Sequence, residues 1–124
     1  MKFQLVEKYR YLWPVTVRVP DQQNPGKIVE QRFRMLFEAE TREEAIAAQD
    51  KYAELKTARE RADHEHNQLL KVCKGWDDVV DGEGNATAFS EKSFRQAIQF
   101  AWFRVGVYAA YNESLHGEEA RLGN

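Results

Sequence analysis

Few residues in this 124-residue chain are of types that perform chemistry. His64, Glu65 and His66 sit together, Cys73 follows seven residues after His66, and Asp77, Asp78, Asp81 and Glu83 crowd a Gly-rich stretch. Each invites a test. On a helix His64 and His66 point in different directions, because positions two apart do not share a face. His66 and Cys73 do share one, but two ligands do not make a zinc site. As a nucleophile Cys73 would need an activating base, and two helical turns put His66 about 11 Å away. If Asp77 opened a calcium loop, positions three and twelve should carry oxygen ligands, and these are Val79 and Ala88. Gly82 and Gly84 precede a helix start, but no strand leads into them and no lysine follows, so the phosphate-cradling pattern is missing. The residues assign no catalytic site, cofactor or metal, and a non-enzyme is expected.

The elements that would position these residues can be read from periodicity. Phe3, Leu5, Tyr9, Tyr11, Trp13, Val15, Val17 and Val19 occupy odd positions, while Lys8, Arg10, Thr16 and Arg18 occupy even ones, the alternation of a half-buried strand. Pro14 lacks a donor and predicts a break, a bulge or an edge position. The run Pro20–Gly26 is a loop, and a second strand follows over about 28–39 with Val29, Phe33, Met35, Phe37 and Ala39 on one face. The two strands should form an antiparallel hairpin over about 3–39, packed on a helix. Thr41 and Glu44 have capping-box spacing and open a helix predicted over about 42–74. Its middle is polar, so it is either one long helix that bridges solvent or is interrupted near Asp63. A loop over 75–89 contains the turn dipeptides Asp81-Gly82 and Gly84-Asn85. Ser90 then reads as an N-cap, with Phe89 and Phe94 at the spacing of a hydrophobic staple. The last helix, about 91–111, contains Phe100–Tyr111, apolar nearly all round, and a tail over 112–124 ends it. Strands first and helices later is the α+β pattern, here in a single domain.

Composition bounds the function. Hydrophobic residues make up 43% and charged residues 31%, with a net charge of −2. That balance argues against a dedicated nucleic-acid binder. A single cysteine fits a reducing compartment, and no apolar run has the length of a membrane span, so no membrane partner is expected. Two groups of residues are candidates for interaction instead. Trp76, Phe89, Phe100, Trp102, Phe103, Tyr108 and Tyr111 are either core or partner anchors, and the sequence leaves both open. Arg10, Arg18, Arg32 and Arg34 gather on the even face of the hairpin, opposite in sign to Asp77, Asp78 and Asp81 in the loop. Copies of the chain could therefore meet head to tail as a homo-oligomer.

Several short motifs carry a family resemblance. Trp76-Asp77-(Asp78)-Val79, Asp81-Gly82-(Glu83)-Gly84, Phe89-Ser90-Glu91 and an apolar helix ending near Tyr111 are preceded by a hairpin carrying Phe33 and Phe37. Between them, Thr41-Arg42-Glu43-Glu44-Ala45 opens a long helix. Over roughly Trp13 to Gly117 the chain resembles the tail assembly chaperones of long-tailed, siphovirus-type phages. The resemblance implies a protein of the host bacterial cytoplasm that holds the tape measure protein while tail tube protein assembles around it, and that is not retained in the virion. A structural virion component, such as a tail completion or connector subunit, is the alternative expectation.

Overall fold

A computed structural model describes residues 1–120. The order is β1 (Arg10–Pro20), β2 (Ile28–Glu38), α1 (Arg42–Ala53), α2 (Ala58–Val72), β3 (Cys73–Asp77), α3 (Glu91–Ala97) and α4 (Ala101–Leu115). The fold is α+β: an antiparallel sheet of order β1-β2-β3 packed on a mostly helical body.

The odd-numbered residues of β1 and β2 turn one sheet face into the core, where Val15, Val17, Phe33, Met35 and Phe37 are buried. The hairpin register pairs Val15 with Phe33 and Trp13 with Met35. At the tip, Asp21 accepts from the Gln23 amide and from Asn24 Nδ2, and Gly26 takes a φ of +81°. Pro14 does not break β1. The last ladder bond, Ala39 N–H to the Tyr9 carbonyl, fixes the parity so that even-numbered backbone groups of β1 face the free edge. A proline there forfeits no ladder bond. The strand does not extend back to Phe3. Past Glu38 the chain turns into α1, so nothing lies opposite residues before Tyr9, and Phe3 and Leu5 are about nine-tenths exposed (89% and 90%).

The long helix expected over 42–74 is two helices and a strand. The break falls at Glu54–Thr57 rather than near Asp63. Thr57 is a second N-cap, whose hydroxyl accepts from the Glu60 amide while the Glu60 carboxylate accepts from the Thr57 amide. That capping box lay in the polar stretch and satisfies two free amides at a new start. Residues 73–77 are strand rather than helix end and loop. They pair with the second edge of β2, with a bulge beside Leu36/Phe37, and bring Cys73 and Trp76 onto the core face.

The last helix is also divided. Ser90 caps α3 as expected, with Ser93 as its reciprocal partner, and the Phe89 and Phe94 rings meet at 5.5 Å. The helix stops at Ile98, whose side chain is fully buried and whose carbonyl accepts from Arg104 Nη1 at 2.6 Å. A charged donor on the freed carbonyl satisfies the break. α4 then runs past Tyr111 to Leu115, so residues 112–115 are helix rather than tail, and Gly123-Asn124 lie outside the described residues.

α4 packs chiefly on β1, antiparallel to it. Gly106 lies by Thr16, Glu113 accepts from Trp13 Nε1 at 3.0 Å, and Ser114 Oγ bonds Tyr11 Oη at 2.7 Å. A Cβ on Gly106 would stand 2.7 Å from the Thr16 carbonyl oxygen and 3.2 Å from Val17 Cγ2. Gly106→Ala should therefore destabilise by about 1–3 kcal/mol through overpacking, despite the roughly 1 kcal/mol gain in helix propensity. Gly82→Ala, where nothing lies within 4 Å, serves as the control and should stay within about 0.5 kcal/mol. Urea melts of the two variants check this, and equal midpoints would refute the close approach.

Candidate interaction surface

The aromatic residues divide sharply in this fold. Trp76 becomes the hub of a cluster, with Phe33, Phe89, Phe94 and Phe103 rings all 5.1–6.4 Å from its own. Its Nε1 donates to the Thr87 carbonyl at 2.7 Å, which ties the loop after β3 to the core. Phe103 stacks on Phe33 at 5.4 Å, and Phe89 completes the staple. Tyr111 packs on Phe37, and its hydroxyl accepts from the Glu40 amide at 3.1 Å. These four, Trp76, Phe89, Phe103 and Tyr111, are packed against the core, which leaves little of them for a partner.

Phe100, Trp102 and Tyr108 point the other way. Ala101, Trp102, Val105, Tyr108 and Ala109 recur at steps of three and four and are all exposed, whereas Gly106, Val107 and Ala110 on the opposite side are buried. Val105 is 66% exposed, and Phe100 stacks on Trp102 with centroids 4.9 Å apart. Leu115 prolongs this face at the C-terminal end of the helix. Val105 and Leu115 were not among the sequence candidates. In a segment apolar all round, periodicity cannot say which side faces out; the one signal was Gly106, which marks the side of close approach. The stripe has a polar flank. Glu65 on α2 pairs with Arg104 Nε at 3.6 Å and hydrogen-bonds Tyr108, whose hydroxyl is held above its ordinary pKa by partial burial and then by the Glu65 charge.

The charged candidates are engaged within the chain. Arg10 bonds Glu38 at 2.8 Å and holds that carboxyl below its ordinary pKa. Arg18 and Arg32 both pair with Glu30, and Arg34 pairs with Asp77 and, at 3.9 Å, with Asp78. Asp81 accepts from the Glu83 and Asn85 amides of its own turn. The sequence treated the arginine plate and the acidic loop as separate patches. β3 sets Asp77 opposite Arg34, so part of that complementarity is consumed in cis.

Among the described residues, no group of three His, Cys, Asp or Glu side chains could hold a metal ion, and no helix is long and apolar enough to cross a membrane. His64 Nε2 lies 3.0 Å from the Ala48 carbonyl, linking α2 to α1. Compared with family models, curated proteins and solved structures, the chain finds no match.

Cys73 is 1% exposed, and burial pushes its thiol from 9.0 up to about 12. The thiolate is the reactive form, so this is an inert packing residue. In the unfolded chain the thiol gives up its proton near its ordinary value, while the folded chain keeps it. The unfolded state then binds fewer protons, and stability falls as pH rises through that range. Urea midpoints should drop as pH rises from about 9 toward about 12, with a shallower drop in Cys73→Ala. Equal slopes for parent and variant would contradict the burial.

Proposed function

We propose that this chain is an assembly chaperone of the phage-tail type, which holds the tape measure protein in a soluble state through the outer face of α4. The observation that carries the reading is the exposed stripe Trp102–Val105–Ala109, with Phe100 and Tyr108 at its sides, on a helix whose other side is locked to β1. A contiguous apolar face on a small chain, bordered by charged residues, is a surface for a partner. A long helical client that exposes apolar residues before its tube forms would gain by covering them there. The motif resemblance over Trp13–Gly117 supplies the client's identity, with tail tube protein as the component that later displaces the chaperone. Copies of the chain would then line up along the client, held by apolar contacts more than by the arginine plate, since exposed ion pairs are weak and these are already satisfied. The host cytoplasm is where such assembly takes place.

Coexpression with a tape measure fragment tests the reading. The parent chain should keep the fragment soluble. Trp102→Ser with Val105→Asp should lose that ability while staying folded, at a cost of about 1–2 kcal/mol, because Val105 is mostly exposed and Trp102 gives up chiefly its stack on Phe100. A fragment equally soluble with parent, variant or neither would overturn the proposal.

A further inference from the structure

Apolar side chains stay open on the arm Met1–Tyr9, which exposes Phe3 and Leu5, and on the outer face of α4. The second of these lies beside a groove. Between α4 and the edge strand β1, Pro14, Thr16, Arg18, Ala109, Ala110 and Glu113 line an open cleft of about 250 Å³. The close approach at Gly106 draws the helix up against the strand, and the small side chains of Ala109 and Ala110 leave room above it. Trp102 is the large exposed side chain on the same flank of α4. It stands seven residues before Ala109, two helical turns away, with Val105 between them. Phe100 supports its ring at 4.9 Å.

We propose that two copies of the chain pair through this face, α4 antiparallel to its counterpart about a twofold axis at Val105, with the Trp102 indole of each copy seated in the other's groove at Ala109. A twofold contact must be self-complementary, so the same patch has to offer both the projection and the hollow. This one does. Trp102 and Ala109 lie equally far on either side of the Val105–Gly106 bond and on one flank of the helix. An antiparallel copy therefore sets Trp102 over Ala109 twice, large against small, and brings Val105 to Val105 on the axis. In the groove the indole would lie on Ala109 and Pro14, with the mostly exposed Arg18 placed to cover its outer face as a cation. Area supports a second copy. Phe100, Trp102, Val105, Tyr108 and Leu115 each keep between 40% and 66% of their surface exposed. With roughly 150–250 Å² on an aromatic side chain, that is about 100 Å² each, on the order of 500 Å² per copy and about 1,000 Å² for the pair. An interface of that size is at the lower bound for a specific one and predicts a reversible dimer. The helix ends agree. α4 has no acidic residue in its first turn and no basic residue in its last, and an antiparallel copy sets the positive end of one dipole beside the negative end of the other. The functional consequence, that the free dimer keeps the client surface covered and a client must separate the copies, rests on the reading of α4 as the client surface. The pairing itself does not.

Disulfide trapping reads the geometry without any client. In a Cys73→Ala background, Val105→Cys is compared with Leu115→Cys, both at exposed positions of the same helix. Antiparallel pairing brings the two copies of position 105 together and leaves the two copies of position 115 about 30 Å apart, at roughly 1.5 Å per residue. Val105→Cys should therefore form a covalent dimer several-fold faster than Leu115→Cys. Equal rates, or a faster reaction at position 115, would overturn the arrangement. Sedimentation velocity on the unlinked chain reads the groove. The parent should pass from monomer to dimer in the micromolar range. Ala109→Arg, at an exposed position, should weaken the dimer several-fold without lowering the urea midpoint of the dilute monomer. A parent that stays monomeric, or a dimer indifferent to Ala109→Arg, would overturn the proposal. The trapped Val105→Cys dimer should also bind a solubilised tape measure fragment several-fold more weakly than its reduced form. If trapping succeeds and fragment binding does not change, the dimer stands and the assignment of α4 as the client surface fails.

Discussion

Everything in this fold hangs on how closely α4 can approach β1. Gly106 presents no side chain, so the helix backbone reaches the Thr16 carbonyl at a distance that no Cβ would tolerate. This contact sets the rotation of a helix whose composition does not set it. With Gly106 inward, Val107 and Ala110 enter the core and Phe103 comes to lie on Phe33. The polar bonds from Trp13 and Tyr11 to Glu113 and Ser114 then hold the far end in register. The outward side is determined by the same rotation, so the apolar stripe of Trp102 and Val105 is a consequence of the core packing.

The second organising feature is the return of the chain to the sheet as β3. Five residues suffice to bring Trp76 among Phe33, Phe89, Phe94 and Phe103, and to place Asp77 against Arg34. Fully burying one such aromatic side chain contributes about 1.5–3 kcal/mol, and the loop and α3 are tied to the core through that cluster. The same strand covers part of the charge that the hairpin would otherwise display. The stripe on α4 and the arm before β1 remain exposed as apolar surfaces. That shifts the balance of possible partner contacts from salt-sensitive pairing toward hydrophobic burial.

The sequence alone determined what depends on local chemistry. The hairpin and its register of odd inward residues follow from strict alternation, and the starts of α1 and α3 follow from Thr41 with Glu44 and from Ser90 with its Phe89–Phe94 staple. Caps and alternation are readable because their physics is contained within a few residues. The capping box at Thr57–Glu60 is equally local and marks the start of α2 inside the polar stretch. Tertiary structure decided the rest. Cys73–Asp77 is a strand because β2 offered an unfilled edge, which is invisible from residues 73–77 themselves. α3 and α4 part at Ile98 because that side chain is drawn into the core and Arg104 takes up its carbonyl. Which aromatics are buried and which face outward was open for the same reason: in a segment apolar on all sides, the choice belongs to the surface it packs on. Here that surface is β1, and the residue that admits it is Gly106.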